Sequence, residues 1–228
     1  MAILSHVKPV ILCNAGHHLK DNGASHADVI EAIECIRIRD AFVPVLKARG
    51  YTVEVVPDHL TLDQSIAWVN AKAPNLDDGL AIDIHLNAGT SSVRGTEAFH
   101  GSSSTSKKIA EAFSRRLSKS LGTSNRGAKP DTLTAVGSLG WIRKTKMWAT
   151  LVEVCFLTND KDIQLLRGEG GYHKTAVGMA DAVDELFGTQ PIKKQPDAEV
   201  AEPVPRTSLS LYSVAELLGE VARRVAEV

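Results

Sequence analysis

The chain alternates short apolar runs with longer stretches in which apolar side chains recur every three or four positions. Pro9 to Cys13, Tyr51 to Val56, Leu80 to His85 and Thr150 to Phe156 are runs of the first kind and read as buried strands. Between the first two, Val29, Ile30, Ile33, Ile36, Phe42, Val45 and Leu46 recur at helical spacing. They predict a helix over Ala27 to Arg49, stopped by Gly50, with Pro44 as a kink point. Thr61 with Gln64 forms a capping-box pattern that opens a helix to about Ala73. Ile109, Ala110, Phe113 and Leu117 fall on one stripe of a helix over Ser106 to Leu121, and a further helix is predicted from Gly171 to Phe187. Strands and helices taking turns at this spacing predict an α/β fold, a mostly parallel twisted sheet flanked by helices on both faces in three layers, joined by right-handed crossovers. In such sheets ligands bind beyond the carboxyl ends of the strands.

After Gly188 the pattern changes. TQPIKKQPDAEVAEPVPRTS carries Pro191, Pro196, Pro203 and Pro205 among polar residues, so a main domain over 1–188 is expected to give way to a linker over 189–207. Over 208–228, Ser213 with Glu216 and then Val214, Leu217, Leu218, Val221 and Val225 predict a short amphipathic helix. One such helix cannot build its own core. Docking on the main domain, self-association with a second copy, and the start of a further module all remain open.

Composition narrows the partners. The 228 residues are 43% hydrophobic and 23% charged, which suits a soluble globular domain, and a formal net charge of -1 supplies no basic field for nucleic acid or an anionic membrane. Neither is expected as a partner. No apolar run approaches about 18 residues and the N-terminus lacks a basic segment followed by an apolar core, so synthesis in the cytoplasm is the expectation. Cys13, Cys35 and Cys155 are an odd number without CxxC spacing and read as buried free thiols.

The candidate chemistry gathers at predicted strand ends. NAGHHLKDNGA, Asn14 to Ala24, follows the first strand and holds two adjacent histidines; such a pair binds metal, shuttles a proton or does neither, and local pattern does not decide. His85 ends the third strand in AIDIHLNAG, and Glu31 lies in the first turns of the first long helix, so His17, Glu31 and His85 converge on one edge of the sheet. Two histidines and a carboxylate are a ligand set of catalytic zinc that leaves a position for water. Glu153, flanked by apolar residues in TLVEVCF, is a strand glutamate aimed either at a cation or reacting water, or at a plain salt bridge.

These residues resemble the zinc-dependent N-acetylmuramoyl-L-alanine amidases (Amidase_3 type) of bacterial autolysins and phage endolysins. The family's first motif, usually Asp-Pro-Gly-His-Gly-Gly with a following Asp-x-Gly-Ala, is matched by Gly16, His17, Asp21, Gly23 and Ala24; Asn14 and Ala15 replace Asp-Pro, and His18 and Leu19 replace the two glycines. The helix glutamate falls at Glu31, which precedes Gly50 by the usual interval, with Glu34 one turn on as its rival. Ser-Ile-His-x-Asn is matched by Ile84, His85 and Asn87, with Asp83 in place of serine and on the same strand side as His85, suited to orient it. VEVCFLTNDKD matches the fourth motif through Glu153, Phe156, Leu157, Thr158 and Asn159, and GTSNRGAKPD resembles a stretch of the endolysin branch.

The resemblance covers about residues 8 to 187. It implies one zinc ion per chain on His17, Glu31 and His85, Glu153 as the proton carrier, and peptidoglycan as substrate, cut between N-acetylmuramic acid and L-alanine. It further implies a phage enzyme made in the host cytoplasm that reaches the wall after membrane permeabilisation. Arg126, Asn87 and His18 are candidate substrate contacts; a solvated loop cation is the plain alternative for Arg126. A zinc carboxypeptidase acting on wall peptides and a catalytically silent wall-binding module remain the other readings.

Overall fold

The computed structural model describes residues 4, 9–18, 20–77 and 79–188. The predicted linker over 189–207 and helix over 208–228, with the self-association expected of it, lie outside the described residues.

In chain order the elements are β1 (Val10–Ala15), β2 (Ser25–His26), β3 (Val29–Ile30), α1 (Glu31–Ala48), β4 (Thr52–Val55), α2 (Leu62–Lys72), β5 (Gly79–Asn87), β6 (Thr96–His100), α3 (Ser104–Leu121), β7 (Asn125–Pro130), a 3-10 turn (Asp131–Leu133), α4 (Gly140–Lys144), β8 (Trp148–Phe156), α5 (Asp160–Arg167) and α6 (Gly171–Phe187). Six strands form one sheet in the order β4-β1-β5-β8-β6-β7, and β2 pairs with β3 as a separate antiparallel hairpin. Within the large sheet only the β6–β8 pair is antiparallel.

Strand alternation divides the core in two. Ile11, Cys13, Ile82, Ile84, Val152 and Val154 face α1, α3 and α6, packing against Ile38, Phe42, Phe113, Leu117, Met179 and Val183. Leu12, Ala81 and Ala149 face the other way, against Ile66 and Val69 of α2 and Trp141 of α4. The arrangement is the expected three-layer α/β/α fold, and all three cysteines are buried free thiols. No described helix is long and apolar enough to cross a membrane.

Thr61 and Gln64 form the capping box of α2, and α6 spans the predicted residues. The helix expected from Ala27 starts instead at Glu31. Ala27 has φ of 50°, incompatible with a right-handed helix, and Ser25 to Ile30 fold into the β2–β3 hairpin. Glu31 is therefore the first helical residue, with its carboxylate at the positive end of the helix dipole. The helix runs through Pro44 uninterrupted. Two strands of the large sheet, β6 and β7, were not predicted: β6 is buried on both faces and so shows no alternation, while β7 is a polar, partly exposed edge strand ending in proline.

The loops at the carboxyl edge are tied to the start of α5. Fully buried Asp162 accepts from the backbone N–H of Gly95 and Phe156 and from the Thr123 hydroxyl, and pairs with Arg94. The Thr158 hydroxyl accepts from Gly89 N–H, and Asn159 both caps α5 and donates to Ser91 O. The Thr-Asn pair of the fourth motif thus holds the loop after β5 in place.

Candidate metal centre

Sheet register sets one row of polar side chains across four strands. Asn14 of β1 pairs with Asp83 of β5; two residues on, His85 pairs with Glu153 of β8, which pairs in turn with Glu97 of β6. Residues directly paired, or two apart along a strand, share a face. All five therefore lie on the α2/α4 side, near the edge where β1, β5 and β8 end. His17 joins them from the loop after β1, and Glu31 reaches in from the first turn of α1.

Glu31 is the junction. Its Oε2 lies 3.0 Å from His17 Nε2 and accepts from Ala24 N–H at 2.9 Å; its Oε1 lies 2.9 Å from His85 Nδ1 and accepts from Leu86 N–H at 3.2 Å. His17, Glu31 and His85 each offer one ligand atom, all within 4.8 Å of one another. Burial pushes the Glu31 carboxyl up, but its bonds to both histidines hold it far below the ordinary carboxylate range. Burial likewise pulls both imidazoles down, yet the surrounding carboxylates outweigh it and raise His17 and, more strongly, His85. The rings meet edge to face, centroids 5.0 Å apart.

Two glycines make room for this packing. A Cβ on Gly16 would lie 2.5 Å from the His85 ring, and one on Gly23, at φ of 63°, would overlap His17 and the Glu31 carboxylate. His17 itself adopts φ of 69°, an uncommon left-handed conformation for a residue with a side chain.

Glu153 lacks such partners. Its Oε2 is buried with no hydrogen-bond partner, and burial pushes its pKa from 4.5 up to about 7. Beside it, Glu97 accepts from Asn87 Nδ2 at 2.8 Å, Arg126 Nε at 2.6 Å and Lys129 Nζ at 2.5 Å. Burial raises the Glu97 carboxyl, but Lys129 and Arg126 outweigh that and hold it below its ordinary value. Arg126 is thus a strand residue paired with Glu97 and laid over the Phe156 ring at 4.9 Å, not a solvated loop cation. The sequence reading passed over Glu97. Its signal was an acid in the short run TEAFH, hidden because that run lacks apolar periodicity.

Glu34, the rival ligand, is turned away from the cluster. It is fully buried, bonded to Arg37 Nη1 at 2.8 Å, Arg167 Nη2 at 2.7 Å and Tyr172 Oη at 2.5 Å, and so ties α1 to α5 and α6. Removing one member of a buried ionic network costs about 3–5 kcal/mol. Glu34→Ala is expected to lower unfolding free energy by that amount without reducing the divalent-metal content of the folded protein. Glu31→Ala is expected to empty the site of divalent metal, measured by metal analysis beside denaturant melts of both variants.

A cavity of about 210 Å³ opens beside the cluster. His17, His18, Asp83 and His85 form its polar end, and Leu60, Leu62, Leu139, Trp141 and Leu151 its apolar wall. His18 Nδ1 accepts from Lys20 N–H at 3.2 Å.

Comparison with known proteins identifies the family and the fold. The family model described as N-acetylmuramoyl-L-alanine amidase (Amidase_3) matches residues 11–185. The N-acetylmuramoyl-L-alanine amidase LytC of Bacillus subtilis is 29% identical over 185 residues, 79% of this chain and 36% of LytC. The endolysin of Bacillus phage SPP1 is 28% identical over 192 residues, 78% of this chain and 66% of the endolysin, so the chain spans only part of either relative. Among solved structures, the catalytic domain of the amidase CwlV from Bacillus (Paenibacillus) polymyxa var. colistinus superposes with a TM-score of 0.69 at 26% identity, covering 80% of this chain and 99% of that domain. With this fold, and with four motifs in order along it, the chain belongs to the N-acetylmuramoyl-L-alanine amidase family.

Proposed function

We propose that the chain is a zinc-dependent endolysin that hydrolyses the amide between N-acetylmuramic acid and the L-alanine of the peptidoglycan stem peptide. The observation that carries the chemistry is the unpartnered, buried Oε2 of Glu153 beside the His17, Glu31 and His85 donors. Two imidazole nitrogens and a carboxylate oxygen within a few ångströms of one another are donors that zinc takes in catalytic sites, so the residues fit one zinc ion per chain.

When bound, zinc supplies Lewis-acid polarisation of the amide carbonyl and lowers the pKa of a water toward about 7. Ionised Glu153 takes a proton from the attacking water as its oxygen bonds to the lactyl carbonyl carbon. The carboxyl then hands that proton to the nitrogen of L-alanine as the C–N bond breaks. The products are a lactyl carboxyl group on the sugar and a stem peptide with a free amino end. Burial, which raises the Glu153 pKa, suits it to both halves of the transfer.

Two contacts to substrate, and Asn87 behind one of them, complete the reading. His18 offers its ring into the cavity, where the apolar wall accommodates neutral parts of the substrate. Arg126 meets stem-peptide carboxylates through the guanidinium nitrogens beyond the Nε that Glu97 holds, and Asn87 fixes Glu97 beneath them. The endolysin part of the reading is supported by the SPP1 relative.

Digestion of purified cell walls tests the assignment. The expected products are new alanine amino ends with the glycan intact. New carboxyl termini within the peptide would make it a carboxypeptidase, reducing sugar ends a glycosidase, and no products a wall-binding module. For the endolysin role, chain expressed in a bacterial cytoplasm is expected to lyse the cells only after membrane permeabilisation; lysis without it overturns that role.

A further inference from the structure

We infer that Asp83, itself held by Asn14, orients His85 and makes Nδ1 its metal-binding nitrogen, while Asp21 does the same for His17 and selects Nε2. The inference rests on the proposed zinc site and adds the residues that hold its ligands in place.

Each histidine lies between Glu31 and an aspartate of its own. His17 turns Nε2 to Glu31 and places Nδ1 3.0 Å from Asp21 Oδ2. His85 turns Nδ1 to Glu31 and places Nε2 3.2 Å from Asp83 Oδ2. A neutral imidazole has one N–H and one lone pair, so a carboxylate that accepts the N–H on one side commits the lone pair to the other. The two aspartates therefore commit opposite nitrogens of their rings to the same point beside Glu31.

Asp83 is the stronger of the two cases, because nothing about it is left to solvent. Its side chain is 3% exposed and its second oxygen accepts from Asn14 Nδ2 at 2.7 Å. Asn14 is its direct partner in the β1–β5 register, so backbone pairing places the amide. An amide has no charge to attract the imidazole and offers a donor that Asp83 accepts. The remaining side of the His85 ring is closed by Gly16, whose missing Cβ leaves no spare room. Serine, usual at position 83 in the family this chain resembles, offers a neutral hydroxyl in place of a charged acceptor. Asp21, by contrast, sits in an exposed turn and also accepts from Gly23 N–H.

Carboxylate partners of ligand histidines typically account for 10–100-fold in metal affinity. Zinc affinity by chelator competition and the visible spectrum of the cobalt-substituted protein test the inference without reference to turnover. Asp83→Ala is expected to weaken zinc 10–100-fold and alter the cobalt bands, Asp83→Asn to fall between it and wild type, and Asn14→Ala to weaken zinc less than Asp83→Ala does. Added to Asp83→Ala, the Asn14 change is expected to have no further effect, because it acts through Asp83. The melting temperature of each metal-free variant separates loss of the site from loss of the fold, and Asp83→Asn supplies the answer if the alanine variant fails to fold. Wild-type affinity and spectrum in folded Asp83→Asn overturn the inference while leaving the zinc site intact. Failure of the wild type to bind zinc overturns the proposed function itself.

Discussion

Glu153→Gln is expected to cut amide hydrolysis by roughly 10²–10⁴-fold while making the metal-free protein more stable above pH 7. The first effect follows from removing the group proposed to carry the proton from water to the leaving nitrogen. The second follows from burial. The Glu153 carboxyl ionises at 4.5 in its ordinary setting and at about 7 in the fold. Between those values the native state holds a proton that the unfolded chain has lost, so this residue makes wild-type stability fall as pH rises through that window. At 1.36 kcal/mol per pH unit the full loss is about 3 kcal/mol. Glutamine carries no charge and escapes it. Melts of both proteins in chelator are expected to coincide below about pH 4.5, diverge as pH rises, and differ most above about pH 7. Wild-type wall digestion by the variant would remove Glu153 from the mechanism; equal stability at pH 8 would show that its oxygen is solvated.

Removal of the metal is expected to abolish hydrolysis and lower the melting temperature, with Glu31→Gln reproducing both effects in the presence of zinc. An ion present at 100 times its dissociation constant stabilises the folded state by about 2.7 kcal/mol. For a domain of this size each kcal/mol moves the melting temperature by roughly 2–4 °C. A zinc-dependent rise of about 5–10 °C is therefore expected for wild type and none for Glu31→Gln. The residue matters this much because, among the described residues, it is the carboxylate that touches both histidines, each through a different oxygen. Retained activity after exhaustive chelation would exclude a metal mechanism, and a full thermal shift in the variant would move the ligand role elsewhere.

Which features could be read from the sequence depended on whether they leave a local trace. The central strands and α2, α3 and α6 did so through apolar periodicity and caps. His17, His85 and Glu153 stood out because each follows or occupies an apolar strand. The choice of Glu31 over Glu34 did not rest on such a signal, since three residues apart on a helix they share a face. The structure separates them by what surrounds each: Arg37, Arg167 and Tyr172 enclose Glu34, and the last two arrive from more than a hundred residues away. Glu97 was invisible for the same reason, because its partners Asn87, Arg126 and Lys129 meet it only once β5, β6 and β7 share a sheet. The start of α1 was misplaced because the β2–β3 hairpin borrows two apolar residues, Val29 and Ile30, that extend the helical stripe.

Strand order also fixes when the reaction centre comes into being. His17, Glu31 and His85 all precede β6, whereas Glu153 lies on β8, the last strand in the chain, which sits between β5 and β6. During synthesis the three proposed ligands leave the ribosome before the proposed proton carrier, and pairings of such sequence separation form late and slowly. A nascent or truncated chain ending before Glu153 therefore holds the ligand residues and no base. If Glu153 carries the proton as proposed, chains interrupted before β8 are expected to be inert, whatever ligand residues they hold.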